Sequence, residues 1–314
     1  AIFCKGIDAS KMANRKEISF KTLFSNVKDL FQGIIQVSKN KAFMKLCGAT
    51  FLVFNGFQIV AAFSVFIIVF YMFNGSYELA GTWPAWFSTI TAVLTAFLVI
   101  PIITWISNKW GKKNAFIIST GISIVGYMLK WFGFDIVLNE KFNNTGLARA
   151  LSSGVGSIFD VLNPFLDNFG MSWFSIDPSH GIPWLIFFPI PFIAFGLGGL
   201  FTLMMSMTAD VCDLDELNNG MPRKEGTFGA IYWWMVKLGQ ALALVLSGLV
   251  LKLIGFDGNA ATQAADTMTS LRIADIIIPS LTAGIAILIM WKYDLSEEKA
   301  KEIKEELVAR RGEL

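Results

Sequence analysis

The chain has 314 residues, of which 54% are hydrophobic and 16% charged, with a net charge of +2 and a mean hydropathy of +0.56. Soluble domains carry about a quarter charged residues, so this composition excludes the two ordinary soluble domains that length alone would allow. The small net charge gives no reason to expect a nucleic-acid partner, and the reading is an all-α membrane protein with six transmembrane helices.

Residues 1–45 read as a cytoplasmic loop carrying nine Lys and Arg. The loop opens on Ala1-Ile2-Phe3, which looks like the last turn of an apolar helix and raises the expectation that membrane segments precede it. There is no signal-peptide pattern. Phe20, Leu23, Phe24, Val27, Leu30, Phe31, Ile34 and Ile35 recur at helical spacing among Lys21, Lys28 and Lys39. That pattern suits a helix on the inner membrane face or one packed under the bundle. The bundle itself is predicted over residues 46–293, in six apolar segments: Leu46–Phe73, Trp83–Ser107, Ala115–Phe134, Pro183–Thr208, Thr227–Ile254 and Ile273–Trp291. Each is long enough to cross a bilayer. The loop after the second holds Lys109, Lys112 and Lys113; the loop after the fourth holds Arg223 and Lys224; six Lys and Arg follow Trp291. The alternate loops hold only Lys141, Arg149 and Arg272. The positive-inside rule then places both ends in the cytoplasm. Cys4, Cys47 and Cys212 fall at or near that side and imply no disulfide.

The external loop of residues 135–182 carries Leu147, Leu151, Val155, Ile158, Phe159 and Leu162 at helical spacing, interrupted by Gly154 and Gly156. It reads as a small surface or lid-like helix, or as an insertion without a role of its own. His180 lies in it, as does the sequon-like Asn143-Asn144-Thr145. Asp210, Asp213, Asp215 and Glu216 read as a polar loop after the fourth span, and Gly196, Gly198 and Gly199 as sites of close helix packing. Residues 294–314 predict a polar cytoplasmic helix with a solvated face, Asp294 as N-cap and Glu297 three residues on.

Lys237 stands inside the fifth apolar segment, about ten residues and so roughly 15 Å from its start. That is half of a hydrocarbon core of about 30 Å. A charge at such depth usually faces a bundle interior or a water-filled path. Trp233 lies one turn below it and Gln240 nearly one turn above. Asn55 and Gln58, three apart on the first span, and Phe201 on the fourth fall at similar depth. Amide, aromatic and ammonium groups converge where secondary transporters bind substrate, and a sugar uses that mixture through hydroxyl partners and a flat apolar ring face. The bland alternatives are helix–helix hydrogen bonding for Asn55 and Gln58, an interfacial belt for Trp233 and Trp234, and a structural ion pair for Lys237. A G-x-S-x-G or Walker sequence is absent, and one His cannot build a His-based metal cluster. The residues therefore point away from an enzyme and from a bound cofactor.

The run Ala209-Asp210-Val211-Cys212-Asp213, then Gly220, Arg223-Lys224-Glu225-Gly226 and Lys237-Leu238-Gly239, resembles the glycoside–pentoside–hexuronide:cation symporters. These are melibiose-permease-like members of the major facilitator superfamily. Ser107-Asn108-Lys109-Trp110-Gly111-Lys112-Lys113 looks like their basic loop between helices eight and nine. The resemblance implies that the chain is the C-terminal six-helix half of such a bundle, with a missing N-terminal half as its partner. It implies that Lys237 couples cation and sugar, that Phe201 shapes the sugar pocket, and that Asp210 pairs with Lys112 or Lys113. Asp213 and Arg223 belong to the same cytoplasmic gate. It implies Na+ or H+ as coupling ion, a sugar or glycoside as substrate, and a bacterial inner membrane as location. Leu214 departs from the tyrosine common after the second acid. A lipid or lysolipid symporter on the same fold, or a non-transporting half-bundle, are the alternatives.

Overall fold

The computed structural model describes residues 35, 37–171, 176, 181–220 and 224–311. The amphipathic stretch from Phe20 to Ile34, Arg223 and His180 lie outside these residues. Asn40 starts the first helix, its side chain accepting from the Phe43 N–H at 3.1 Å, as an N-cap does. Helix α1 (Lys41–Met72) ends in π-helical turns. Helix α2 (Tyr77–Trp110) is interrupted after one turn at Gly81 and loosens again to π geometry at Thr95–Val99. Pro101 comes two residues after Val99 and has no N–H for the preceding turn, which favours such a bulge. Gly111, at φ +80°, turns the chain into α3 (Lys112–Gly133). Two helices follow at the far end: α4 (Ile136–Asn143), capped by Asp135, and α5 (Gly146–Asn168), capped by Thr145. Three further long helices are α6 (Trp184–Asn219), α7 (Glu225–Leu253) and α8 (Ala265–Trp291). Helix α9 (Glu297–Arg311) closes the chain.

Six of these, α1, α2, α3, α6, α7 and α8, are long and apolar enough to cross a membrane. The protein is an all-α integral membrane protein. The end where α1 begins and α8 finishes is called the basic end here. Several helices outrun their apolar segments. Helix α6 continues past Thr208 to Asn219 and stops only at Gly220, at φ +76°. Asp210, Asp213, Asp215 and Glu216 therefore sit on a helix and not in a loop. Helix α8 starts eight residues before Ile273, so Arg272 is a buried helical residue and not a loop charge. In α9 the cap is Ser296, whose Oγ accepts from the Lys299 N–H at 3.3 Å. Asp294 instead meets Lys45 at 2.6 Å. The α9 surface is not wholly solvated, because Ile303 and Leu307 are buried under the bundle. Helix α5 runs unbroken through Gly154 and Gly156; each glycine weakens a helix by about 1 kcal/mol without ending it.

Two apolar clusters stack along the bundle. One near the basic end joins Phe43, Phe116, Leu203 and Tyr232 to Ile303 and Leu307 of α9. The other joins Phe63, Phe87, Phe134, Ile190 and Leu271 toward the opposite end. Small residues let α6 close on its neighbours: a Cβ on Gly196 would lie 2.8 Å from the Ser123 Cβ, and one on Gly198 would lie 2.8 Å from Val99. The tightest approach to the α6 backbone is at Gly126, where a Cβ would stand 2.6 Å from the Ile193 nitrogen. Backbone cannot rotate away as a side chain can. Gly126→Ala is therefore expected to destabilise by about 1–3 kcal/mol through overpacking, read as a lower melting temperature in detergent. An unchanged melting temperature would show that α3 and α6 are less closely apposed.

Candidate functional site

Trp233, Lys237 and Gln240 recur at i, i+4 and i+7 and so share one face of α7. That face is open. Trp233 is 45% exposed, Lys237 is exposed and Gln240 is half-buried. The Lys237 ammonium donates to the Gln240 side-chain oxygen at 3.5 Å. The ion pairs among the described residues do not include it. Phe201 of α6 stacks beside Trp233, with ring centres 6.5 Å apart and planes at 30°. Its other side meets the edge of Phe54 at 6.0 Å. Aromatic plates and an ammonium thus lie side by side. Lys237 is twelve residues into α7, roughly 18 Å at 1.5 Å per residue.

Asn55 and Gln58 occupy a different position. Asn55 is 3% exposed, and its amide donates to the Gly239 carbonyl at 3.0 Å. Its donor is used in joining α1 to α7, just beneath the Lys237 face. Gln58 is half-buried on α1. The structure therefore brings Phe201, Trp233, Lys237 and Gln240 together on the open face and leaves Asn55 behind it as packing.

At the basic end, the Lys112 ammonium lies 2.6 Å from Asp210 Oδ2, with both side chains about one-fifth exposed. Lys113 donates to the Tyr293 carbonyl at 2.9 Å, so the two neighbouring lysines tie α3 to α6 and to the segment after α8. A cleft of about 340 Å³ opens beside the pair, lined by Lys112, Ser206, Asp210, Asp213, Lys304 and Leu307. Asp213 thus stands at the same cleft. Lys45 holds the Asp294 carboxyl below the usual carboxylate range, while burial raises the Tyr293 phenol. Among the described residues no group of three His, Cys, Asp or Glu gathers to hold a metal.

The opposite end contains a charge cluster that the sequence reading did not assemble. Lys130 of α3 and Asp275 of α8 form an ion pair, with side chains only 1% and 2% exposed. The same ammonium donates to Ser64 Oγ of α1 at 2.9 Å. Arg272, one turn before Asp275, donates to Tyr71 Oη and to the Trp131 carbonyl, both at 2.7 Å. Its guanidinium lies between those rings, 4.4 Å from Tyr71 and 4.3 Å from Trp131. Asp135 is 3.9 Å away. Asp275 Oδ1 and Arg272 Nε are buried without a hydrogen-bond partner. A signal was present: opposite charges in two apolar spans require partners, and Lys130 and Asp275 both stand in such spans.

Six helices long and apolar enough to cross a membrane, with a charged and aromatic face and ion pairs between helices, define an integral membrane bundle. The chain belongs to the MFS/sugar transport protein family, whose model matches residues 9–297. It is 28% identical to an uncharacterized symporter of Synechocystis, over 61% of this chain and 38% of that protein. It is 23% identical to the isoprimeverose transporter of Lactiplantibacillus pentosus, over 66% of this chain and 34% of the relative. It is 22% identical to the sodium-dependent lysophosphatidylcholine symporter 1 of Xenopus tropicalis, over 93% of this chain and 46% of the relative. The chain thus spans less than half the length of these relatives.

Proposed function

We propose that this chain is the C-terminal six-helix half of a cation-coupled secondary transporter for sugars or glycosides. Substrate would lie at mid-membrane between the Lys237 face and the other half, and access would alternate. The observation that carries this reading is the exposed ammonium at mid-depth beside the Phe201–Trp233 stack. A lysine stem there is too short to reach water easily past a lipid-facing helix, so the face must line a polar cavity. An aromatic plate for a sugar ring face, with Lys237 and Gln240 for hydroxyls, suits a glycoside. Na+ or H+ is the coupling ion in this proposal. Both ends of the chain face the cytoplasm by the lysine distribution, and the location is a bacterial inner membrane. Two relatives, in zebrafish and Xenopus, are named as sodium-dependent lysophosphatidylcholine symporters. They support a second reading, in which the same face opens sideways to an amphiphile.

The test is uptake by the protein expressed from its complete coding sequence and reconstituted in vesicles, under imposed Na+ or pH gradients. Saturable, gradient-driven accumulation of a sugar or glycoside supports the proposal. Movement of lysophosphatidylcholine without sugar uptake selects the second reading. Residues 1–314 alone are expected to show no saturable uptake, since their polar face lacks its opposing wall. Gradient-driven accumulation by these residues alone would overturn the half-site geometry.

In this reading Lys112 and Asp210 close the cytoplasmic end. A partly exposed pair contributes only about 0–1 kcal/mol to stability, so its effect is on the balance of inward-closed and inward-open states. Asp210→Asn is expected to leave the melting temperature nearly unchanged and to speed labelling of a cysteine placed at Ser206, in the adjoining cleft. The exchanged pair Lys112→Asp with Asp210→Lys should slow that labelling again. Equal labelling in all three proteins would remove the gate.

A further inference from the structure

Helix α5 has three distinct faces. Ala148 and Phe159 are buried, with Val155 and Leu166 packed beside Phe159 on the bundle. The Phe159 ring meets the Trp86 ring edge-on at 5.7 Å, and Trp184 Nε1 donates to Ser152 Oγ at 3.0 Å. A second face, about a quarter-turn away, is apolar and uncovered. Leu147, Leu151, Ile158, Leu162, Phe165 and Phe169 lie along it, from 39% to 66% exposed. The third face carries Arg149, Asp160 and Asp167, all exposed, roughly opposite the stripe at 100° per residue.

The level of the helix follows from its contacts. Trp86 lies in the first turn of the Trp83–Leu94 segment of α2, and Trp184 opens α6. Both mark the end of the bundle opposite its basic end, so α5 lies beside the mouths of two spans, where headgroups meet acyl chains. The surface below it is apolar too. Val93 and Phe97, seven and eleven residues after Trp86 on α2, are 50% and 81% exposed. Exposed apolar side chains thus lie both on α5 and farther along the span that α5 meets through Trp86. A helix with an apolar stripe, an opposed charged face and an interfacial level has the pattern of a segment lying in the membrane plane.

We propose that α5 is an interfacial helix whose Leu147–Phe169 stripe seats in the acyl–headgroup boundary of the leaflet at that end. The occupant of the stripe is lipid: it presents only aliphatic and phenyl groups, and the charges that would reach headgroups and water lie on the far face. The proposal goes beyond the transport reading and does not depend on the substrate.

The experiment uses the protein expressed from its complete coding sequence, reconstituted in phosphatidylcholine–phosphatidylglycerol vesicles. Nitroxide labels are placed at Ile158→Cys, Phe165→Cys and Asp160→Cys in a background lacking native cysteines. Collision with dissolved oxygen is expected to exceed collision with a water-soluble nickel chelate at Ile158 and Phe165, and the order to reverse at Asp160. Because removing Cys47 and Cys212 from the core can disturb folding, benzoylphenylalanine at Phe165 is used in parallel with the native cysteines retained. It should crosslink to lipid on illumination. High nickel access along the stripe would show that it faces water. Shielding from both reagents, with crosslinks only within the protein, would show that another part of the transporter covers it. Either result overturns the proposal.

Discussion

Lys237→Met is expected to abolish gradient-driven uptake by the full-length protein while leaving insertion and melting temperature close to those of the parent. Methionine keeps most of the apolar stem and removes the ammonium. Among the described residues, that ammonium's hydrogen-bond partner is Gln240 of its own helix, at 3.5 Å. Little folding energy should therefore depend on it. A hydrogen bond from a charged group is worth about 1.5–3 kcal/mol, or roughly 10- to 100-fold in apparent substrate affinity, and loss of coupling would add to that. Uptake and thermal stability are measured on the same preparation. Parent-like uptake would remove Lys237 from the site. A large fall in melting temperature would instead give it a structural role. Trp233→Ala should weaken uptake less, since it removes one face of the Phe201 stack and leaves the charge.

The second large effect is at the opposite end. Asp275→Leu or Lys130→Met alone should destabilise by about 3–5 kcal/mol, because each leaves a buried charge without its partner. The double replacement Lys130→Met with Asp275→Leu should be far less harmful than either single change. Two apolar side chains of similar size avoid the desolvation of both charges. Denaturant unfolding in detergent, arranged as a double-mutant cycle, measures the coupling. If the double variant is as unstable as the sum of the singles, the pair is not the unit that joins α1, α3 and α8. If it is stable but transports poorly, the network has a role in the cycle beyond holding helices. Arg272 shares the cluster, and its stacking on Tyr71 and Trp131 makes Arg272→Lys a poor substitute: an ammonium cannot span both partners as the planar fork does.

The spans were legible because hydropathy is a local property. A segment such as Leu46–Phe73 must satisfy its backbone within itself to cross lipid, so its own residues announce a helix. Helix ends were less legible. The acids after Thr208 suggested a loop, yet they are compatible with helix in the headgroup region, and the chain turned only where Gly220 allowed positive φ. Arg272 was misplaced for a related reason. Hydropathy treats a charge as a boundary, whereas two aromatic rings, a hydroxyl and a carbonyl make its burial tolerable.

The candidate site was partly legible. The depth of Lys237 and its spacing from Trp233 and Gln240 follow from numbering along one helix. The role of Asn55 did not, because its partner, the Gly239 carbonyl, is 184 residues away. The same holds for Lys130 with Ser64, 66 residues apart, and for Arg272 with Tyr71, 201 apart. Sequence by itself determined which of the described helices are long and apolar enough to cross a membrane and which of them carry charge within the apolar stretch. Tertiary structure alone decided which charges are neutralised inside the bundle and which remain exposed. Burial and pairing of a charge depend on which helix packs beside it, and that choice is made by side chains that meet only once the chain has folded.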